Sequence, residues 1–270
     1  MYKLIAIDMD GTLLNDQHQV TEEVKRALIE AKAIGVTIVL CTGRPLGGVT
    51  RYLTDLELNQ EGDYVIAYNG ALVQDSFSNK AVVSLALAHS DLQELAALAE
   101  ELDSPMHFFD AERLYTANKD ISPYTVYESY VTQVPLSYCA LEQVNAGIEI
   151  PKVMFIDEPG KLEQTIAKIP ASYRERYTMV KSAPFFYEIL HPEVSKGNAV
   201  KHLAEKLGIR QNEVMCIGDN GNDLSMITYA GCGVAMANAI PELKAVADVE
   251  TLSNNQDGVA HAIREYVLKK

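Results

Sequence analysis

Two aspartates one residue apart close the first apolar run of the chain, Leu4-Ile5-Ala6-Ile7-Asp8-Met9-Asp10-Gly11-Thr12. Side chains alternate along extended backbone, so Asp8 and Asp10 project to one side and Met9 to the other. Carboxylates held that close at the end of a buried strand repel each other and require a cation or a shared proton. Gly11 then lets the backbone turn sharply and approach a ligand closely. By itself, an Asp-x-Asp pair equally describes an acidic loop whose carboxylates are solvated or cap a helix.

Polar residues recur where later apolar runs end. Thr42-Gly43-Arg44 follows residues 36–41, and Gly218-Asp219-Asn220-Gly221-Asn222-Asp223 follows residues 214–217. Lys196 opens a helical stretch, where a cation is electrostatically unfavourable unless something nearby compensates it. Carboxylates and other hard oxygens suit Mg²⁺, which takes few protein ligands and keeps several waters. A hydroxyl, an amide and an ammonium suit phosphate oxygens. No serine-histidine pair at motif positions and no helical His-Glu-x-x-His is present, which disfavours a serine hydrolase or a zinc protease.

The elements that must position these residues follow from the hydrophobic pattern. Residues 4–7, 36–41, 64–67, 214–217 and 233–236 are short apolar runs of the kind buried on both faces of a parallel sheet. Val24, Ala27, Leu28 and Ala31 recur at helical spacing between a capping Thr21 and Gly35. Further helices are predicted over 47–56, 196–207, 224–230, 241–246 and 257–268. The β-α-β-α-β order predicts an α/β, right-handed, doubly wound parallel sheet of Rossmann type, whose ligands sit beyond the carboxyl ends of the strands. Asp8, Asp10 and Thr42 fall there. Asn69-Gly70 and Val82-Val83 suggest small hairpin strands.

From about Ser84 the texture changes to short strand-like runs at 106–109, 114–117, 153–156, 177–180 and 185–190, with helical patterns between them. Residues 84–188 therefore read as an inserted α+β domain, and residues 1–83 with 189–270 as the catalytic core. Five of the fourteen tyrosines lie between Tyr115 and Tyr138 and are expected in the core of the insertion.

Composition bounds the function. A 270-residue chain that is 48% hydrophobic and 22% charged suits a soluble globular protein with a substantial core. A net charge of −14 argues against binding nucleic acid or an anionic membrane through bulk charge. A phosphate-bearing ligand would need local positive partners or a metal. Cys41, Cys139, Cys216 and Cys232 show no paired spacing and read as reduced thiols. The N-terminal apolar run is too short for a signal sequence, and no apolar stretch approaches the roughly 20 residues of a membrane span, so a cytoplasmic protein is expected. His191 is expected to serve packing or a hinge, and His18, His89, His107, His202 and His261 to be surface or satisfied core residues.

Four motifs in order resemble those of the haloacid dehalogenase (HAD) superfamily of phosphatases, and within it the Cof-type sugar-phosphatase branch. Asp8-Met9-Asp10-Gly11-Thr12 is similar to the first motif, Thr42-Gly43 to the second, Lys196-Gly197 to the third and Gly218-Asp219-x-x-Asn222-Asp223 to the fourth. The run from Ala230 to Ala239 also fits that branch. The resemblance spans essentially the whole chain, including an inserted α+β cap, where it is loosest. It implies a HAD-like core and a Mg²⁺-dependent phosphatase of small phosphate esters, sugar phosphates foremost, acting through an aspartyl-phosphate.

On that resemblance Asp8 is the nucleophile and Asp10 the general acid and base. Mg²⁺ is held by Asp8, the Asp10 backbone carbonyl and Asp219. Thr42, the Gly43 amide, Lys196 and Asn222 hold phosphoryl oxygens, while Arg44 either joins them or pairs with a surface carboxylate. Asp223 orients Lys196 or a metal-bound water. The cap is expected to roof the site and set substrate preference, with Arg113, Asn118 and Lys119 as polar candidates. The expected partner is a small phosphate ester, with no nucleic acid and no membrane, and the chain is a monomer or homodimer. Two alternatives stand beside this reading: a phosphomutase on the same fold, and a phospho-aspartate signalling protein of receiver type. The second would lack the large insertion and need no acid-base residue just beyond the nucleophile.

Overall fold

A computed structural model describes residues 1–269. Its strands are, in chain order, β1 (Leu4–Ile7), β2 (Thr37–Cys41), β3 (Tyr64–Ala67), β4 (Leu72–Asp75) and β5 (Ala81–Ser84). Next come β6 (Met106–Phe109), β7 (Leu114–Thr116), β8 (Leu136–Tyr138), β9 (Val153–Ile156), β10 (Thr178–Ala183) and β11 (Phe186–Leu190). β12 (Val214–Gly218), β13 (Cys232–Ala235) and β14 (Val249–Glu250) follow. They form an eight-stranded sheet ordered β14-β13-β12-β1-β2-β3-β4-β5 and a six-stranded sheet ordered β10-β11-β9-β6-β7-β8.

The eight-stranded sheet belongs to a unit made of residues 1–43, 50–83 and 195–270. β1 lies at its middle, parallel to β12 on one side and β2 on the other, with Ile7 opposite Ile217 and Leu40. β3, β13 and β14 extend the parallel set, and β4 turns back antiparallel on β3. All four β1 side chains are fully buried, each contributing about 1.5–3 kcal/mol for the larger aliphatic ones. Parallel pairing brings the carboxyl ends of β1, β2, β3 and β12 to one edge of the sheet. Asp8, Thr42, Asn69 and Asp219 lie at that edge because their strands end there.

Helices secure the strands. In the helix Glu22–Ala33, the Thr21 hydroxyl accepts from the Val24 amide at 3.2 Å, and Val24, Ala27, Leu28 and Ala31 are buried. The helix Lys196–Lys206 is capped by the Ser195 hydroxyl, which accepts from the Asn198 amide at 3.1 Å. Its second residue has to be glycine, since a Cβ on Gly197 would lie 2.4 Å from the Ser225 carbonyl oxygen. That contact lets the lysine-bearing first turn press against the helix Leu224–Tyr229.

The six-stranded sheet belongs to a second unit, residues 84–194 together with 44–49. β6, β9 and β11 alternate in register, so Phe108, Val153, Phe155, Tyr187 and Ile189 share one face. There they cluster with Leu92, Leu95 and Leu98 of the helix His89–Glu101 and with Leu162 of the helix Pro159–Lys168. The unit continues to Val194, beyond the boundary read at 188, because β11 pairs with β9 and β10.

Three expectations fail for physical reasons. The helix predicted over 47–56 is a 3₁₀ turn, Leu46–Gly48, and then a short helix, Thr50–Asp55, with the glycine pair at the break. β8 and β14, at sheet edges, lie outside the predicted runs, because strands of three and two residues carry too little pattern to read. The tyrosines of the insertion do not all enter its core, since Tyr127, Tyr130 and Tyr138 are exposed. No helix among the described residues is long and apolar enough to cross a membrane.

The close approach at Gly197 is testable. Gly197→Ala should lower the unfolding midpoint, with a cost of about 1–3 kcal/mol from overpacking against Ser225. Gly160→Ala, in a helix where a Cβ meets nothing within 4 Å, should leave it unchanged or raise it slightly. Thermal unfolding of the two variants beside the parent decides the point.

Candidate active site

Lys196 occupies the centre of the strand-end cluster. Its side chain is fully buried, and its ammonium donates to Asp8 Oδ1 at 2.5 Å and to Asp223 Oδ1 at 2.6 Å. Asp223 is itself completely buried, and its Oδ2 accepts from the backbone amides of Asp219 at 2.9 Å and Asn220 at 3.0 Å. One carboxylate thus folds the loop after β12 and anchors the lysine. Asp219 Oδ1 accepts from the Thr12 hydroxyl at 2.9 Å, which ties this loop to the turn after β1. The turn must pass close, because a Cβ on Gly11, at φ +84°, would lie 2.5 Å from Asp219 Oδ2. Asn238 completes the frame by donating to the Gly11 carbonyl at 2.8 Å.

Among the described residues, Asp8, Asp219 and Asp223 form the acidic group that could hold a metal ion, with one oxygen from each lying within 4.8 Å of the others. Three carboxylates against one ammonium leave two negative charges in a nearly dry site. A divalent cation fits that deficit, and oxygen donors suit a hard one. The electrostatics agree. Burial, then repulsion from Asp223, holds the Asp8 carboxyl well above its usual range, with Lys196 pulling the other way. Burial also pushes Asp219 up to about 6. Burial would lower the Lys196 ammonium, but Asp223 and Asp8 outweigh it and keep the lysine charged.

The other residues singled out from the sequence distribute as follows. Asp10, about half exposed, stands outside the acidic group, and the His18 imidazole lies 3.9 Å from its carboxylate. Thr42 is buried at the end of β2, its amide donating to the Ile66 carbonyl at 2.9 Å and its carbonyl accepting from the Asn69 amide at 2.9 Å. Asn222 is half-buried and donates to Asn69 Oδ1 at 3.0 Å. Gly43 lies against the same Asn69, since an added Cβ would come within 3.0 Å of Asn69 Oδ1. Arg44 falls in the second unit, where it donates to the Gly48 carbonyl at 3.4 Å. In that unit Asn118 accepts from the Met106 amide and Arg113 donates to the Ser137 hydroxyl, so both are engaged locally.

Sequence reasoning gave no role to Asn69, Thr12 or Asn238. On sequence alone Asn69-Gly70 suggests only hairpin chemistry. The available signal was position, because Asn69 follows β3 as Thr42 follows β2. Its φ of +56° suits asparagine better than most residues.

A family model for haloacid dehalogenase-like hydrolases matches residues 5–263. The chain belongs to that family. It is 67% identical to "Putative phosphatase YxeH" of Bacillus subtilis (strain 168), over the full length of both chains. A second B. subtilis relative, 5-amino-6-(5-phospho-D-ribitylamino)uracil phosphatase YcsE, is 33% identical over 98% of this chain and 96% of its own. The crystal structure of a haloacid dehalogenase-like hydrolase from Bacteroides thetaiotaomicron superposes with a TM-score of 0.88 at 30% identity, covering 98% of this chain and 99% of that one. This haloacid dehalogenase-like hydrolase is a phosphoric monoester hydrolase, and its acidic cluster lies at the strand ends where an α/β sheet presents its ligand site.

The Asp219 shift carries a signed consequence for the metal-free protein. Its folded-state pKa lies above the unfolded value, so its stabilising share is complete at low pH and is lost as pH rises through about 6. In chelator-treated samples, the thermal midpoint of Asp219→Asn relative to the parent should therefore climb between pH 4 and pH 7 and then level off. A difference that is flat, or that falls, contradicts the proposed crowding of charge.

Proposed function

We propose that this phosphatase is Mg²⁺-dependent, acts on small phosphorylated metabolites, sugar and polyol phosphates foremost, and carries the phosphoryl group transiently on Asp8. The observation behind the reading is the Asp8 carboxylate itself, 5% exposed at the sheet edge, held at one oxygen by Lys196 and followed two residues later by a more exposed acid. Asp8 attacks phosphorus as the bond to the departing oxygen breaks, which splits one hard displacement into two. Asp10 gives its proton to the leaving alcohol. It then takes one from the water that attacks the phosphoryl-aspartate, releasing inorganic phosphate and restoring Asp8.

Thr42, the Gly43 amide, Asn222 and Lys196 receive the phosphoryl oxygens, with Asn69 positioning Asn222. Asp223 keeps Lys196 charged and aimed at Asp8. Asp8, Asp219 and the Asp10 carbonyl would hold Mg²⁺, with Asp223 close by, and the ion would neutralise the repulsion between carboxylate and phosphate dianion. The substrate class is supported by the relative YcsE, whose name places its phosphate on a ribityl chain, a sugar-alcohol ester. The cytoplasm is the proposed setting, in keeping with four free cysteines.

Three measurements test this. Chelation should abolish turnover, with Mg²⁺ restoring it and Ca²⁺ doing so poorly because its coordination is larger and looser. Full turnover in metal-free buffer contradicts the metal assignment.

Asp10→Asn should lose about 10²–10⁴-fold in kcat/KM on sugar phosphates and far less in kcat/KM on p-nitrophenyl phosphate, whose phenolate departs with little protonation. Equal losses on both mean that Asp10 is not the acid. Multiple turnovers with stoichiometric phosphate release distinguish hydrolysis from a mutase.

A further inference from the structure

The helix Pro123–Thr132 in the second unit is built inside out. Its buried residues are Thr125, Glu128 and Thr132, all polar. The Thr125 hydroxyl lies 3.2 Å from His107 Nδ1, and Glu128 Oε1 lies 3.6 Å from the Lys152 ammonium. Lys152 is almost fully buried on the sheet face away from the apolar cluster, 3.1 Å from Glu188 and 5.0 Å above the Phe109 ring. A buried ammonium has to be met by carboxylates, so it selects the polar side of the helix and fixes its rotation.

The consequence appears on the other side. Val126, Tyr127, Tyr130 and Val131, spaced to share one helix face, are 52%, 48%, 76% and 49% exposed. Tyr124 and Tyr127 continue the patch to Phe185, with ring centroids 4.7 Å and 5.7 Å away. An amphipathic helix ordinarily turns such a face inward. From Ile121 to Tyr138 the only charged residue is Glu128, and it points in.

We infer that this face joins two copies of the chain, each helix Pro123–Thr132 packing on its symmetry mate. The charge distribution selects that occupant. A chain of net charge −14 repels its own copy, and a stretch with no outward charge is where two copies can meet at least cost. An isologous contact sets the patch against itself, and valines with tyrosines complement one another without opposite charges. Aromatic residues are also the side chains enriched at interface cores.

The size agrees. The patch leaves on the order of 500 Å² uncovered, near the upper end of what monomers expose. With a polar rim it reaches the low end of specific interfaces, about 600 Å² per partner. The dimer is therefore reversible, with dissociation in the micromolar range.

Sedimentation velocity of the full chain, from about 1 to 200 μM, tests this across the range where a micromolar dimer dissociates. A monomer–dimer equilibrium is expected. Tyr130→Glu and Val126→Lys, each placing like charges near the two-fold axis, should weaken it at least ~10-fold. Ile29→Glu, on an exposed position of the other unit, should leave it unchanged. Far-UV circular dichroism confirms that each variant is folded. A monomer at every concentration assigns the face to some other partner and overturns the proposal. So does a dimer unaffected by both patch variants, or one lost in Ile29→Glu.

Discussion

One ammonium shared between two buried carboxylates constrains the first unit more than any other contact. Lys196 has no exposed surface and reaches Asp8 and Asp223 at 2.5 Å and 2.6 Å. An ammonium stripped of water costs several kcal/mol, and only close, well-oriented carboxylates offset it. The chain therefore has to bring β1, the loop after β12 and the start of the helix Lys196–Lys206 to one point. Glycines make that convergence possible. A Cβ on Gly70 would meet the Ser195 carbonyl at 2.4 Å, and one on Gly218 would meet Asp223 at 2.7 Å.

The same contact leaves the site unbalanced in charge. Asp219 adds a third carboxylate to a cluster that holds one ammonium, and the shifts of Asp8 and Asp219 express that excess. Binding a divalent cation and approaching a phosphate dianion are linked needs in such a place, since the first makes the second electrostatically possible. Asp223 contributes in three ways, through the lysine and through the amides of Asp219 and Asn220. A change there would disturb the loop, the lysine and the acidic cluster together.

Much of this was legible in the sequence for a definite reason. A parallel strand buried on both faces must be a contiguous apolar run, so residues 4–7, 36–41 and 214–217 announce their strands, and the polar residues after them announce the sheet edge. Thr21 and Gly35 mark a helix through local capping chemistry that needs no tertiary context. Asn69 was less legible because its part depends on Asn222, 153 positions away, and on the close approach of Gly43. Tyr127 and Tyr130 defy burial tendency because it assumes an apolar partner surface, and Lys152 makes the surface beneath the helix Pro123–Thr132 charged. Tyr138 lies on the edge strand β8. The break at Gly47-Gly48 was missed because helical periodicity outweighed two adjacent glycines.

The central claim is that Asp8 is held as a nucleophile and not only as a metal ligand. The most direct measurement is rapid quenching of the Asp10→Asn variant with p-nitrophenyl phosphate, whose phenolate departs without the acid, followed by peptide mapping of the N-terminal segment by mass spectrometry. The account predicts a phosphoryl group on Asp8 that accumulates because the water attacking it has lost its general base, and that decays at the rate of turnover. Turnover with no phosphoryl group on Asp8 at any time, or with one on another residue, would contradict it.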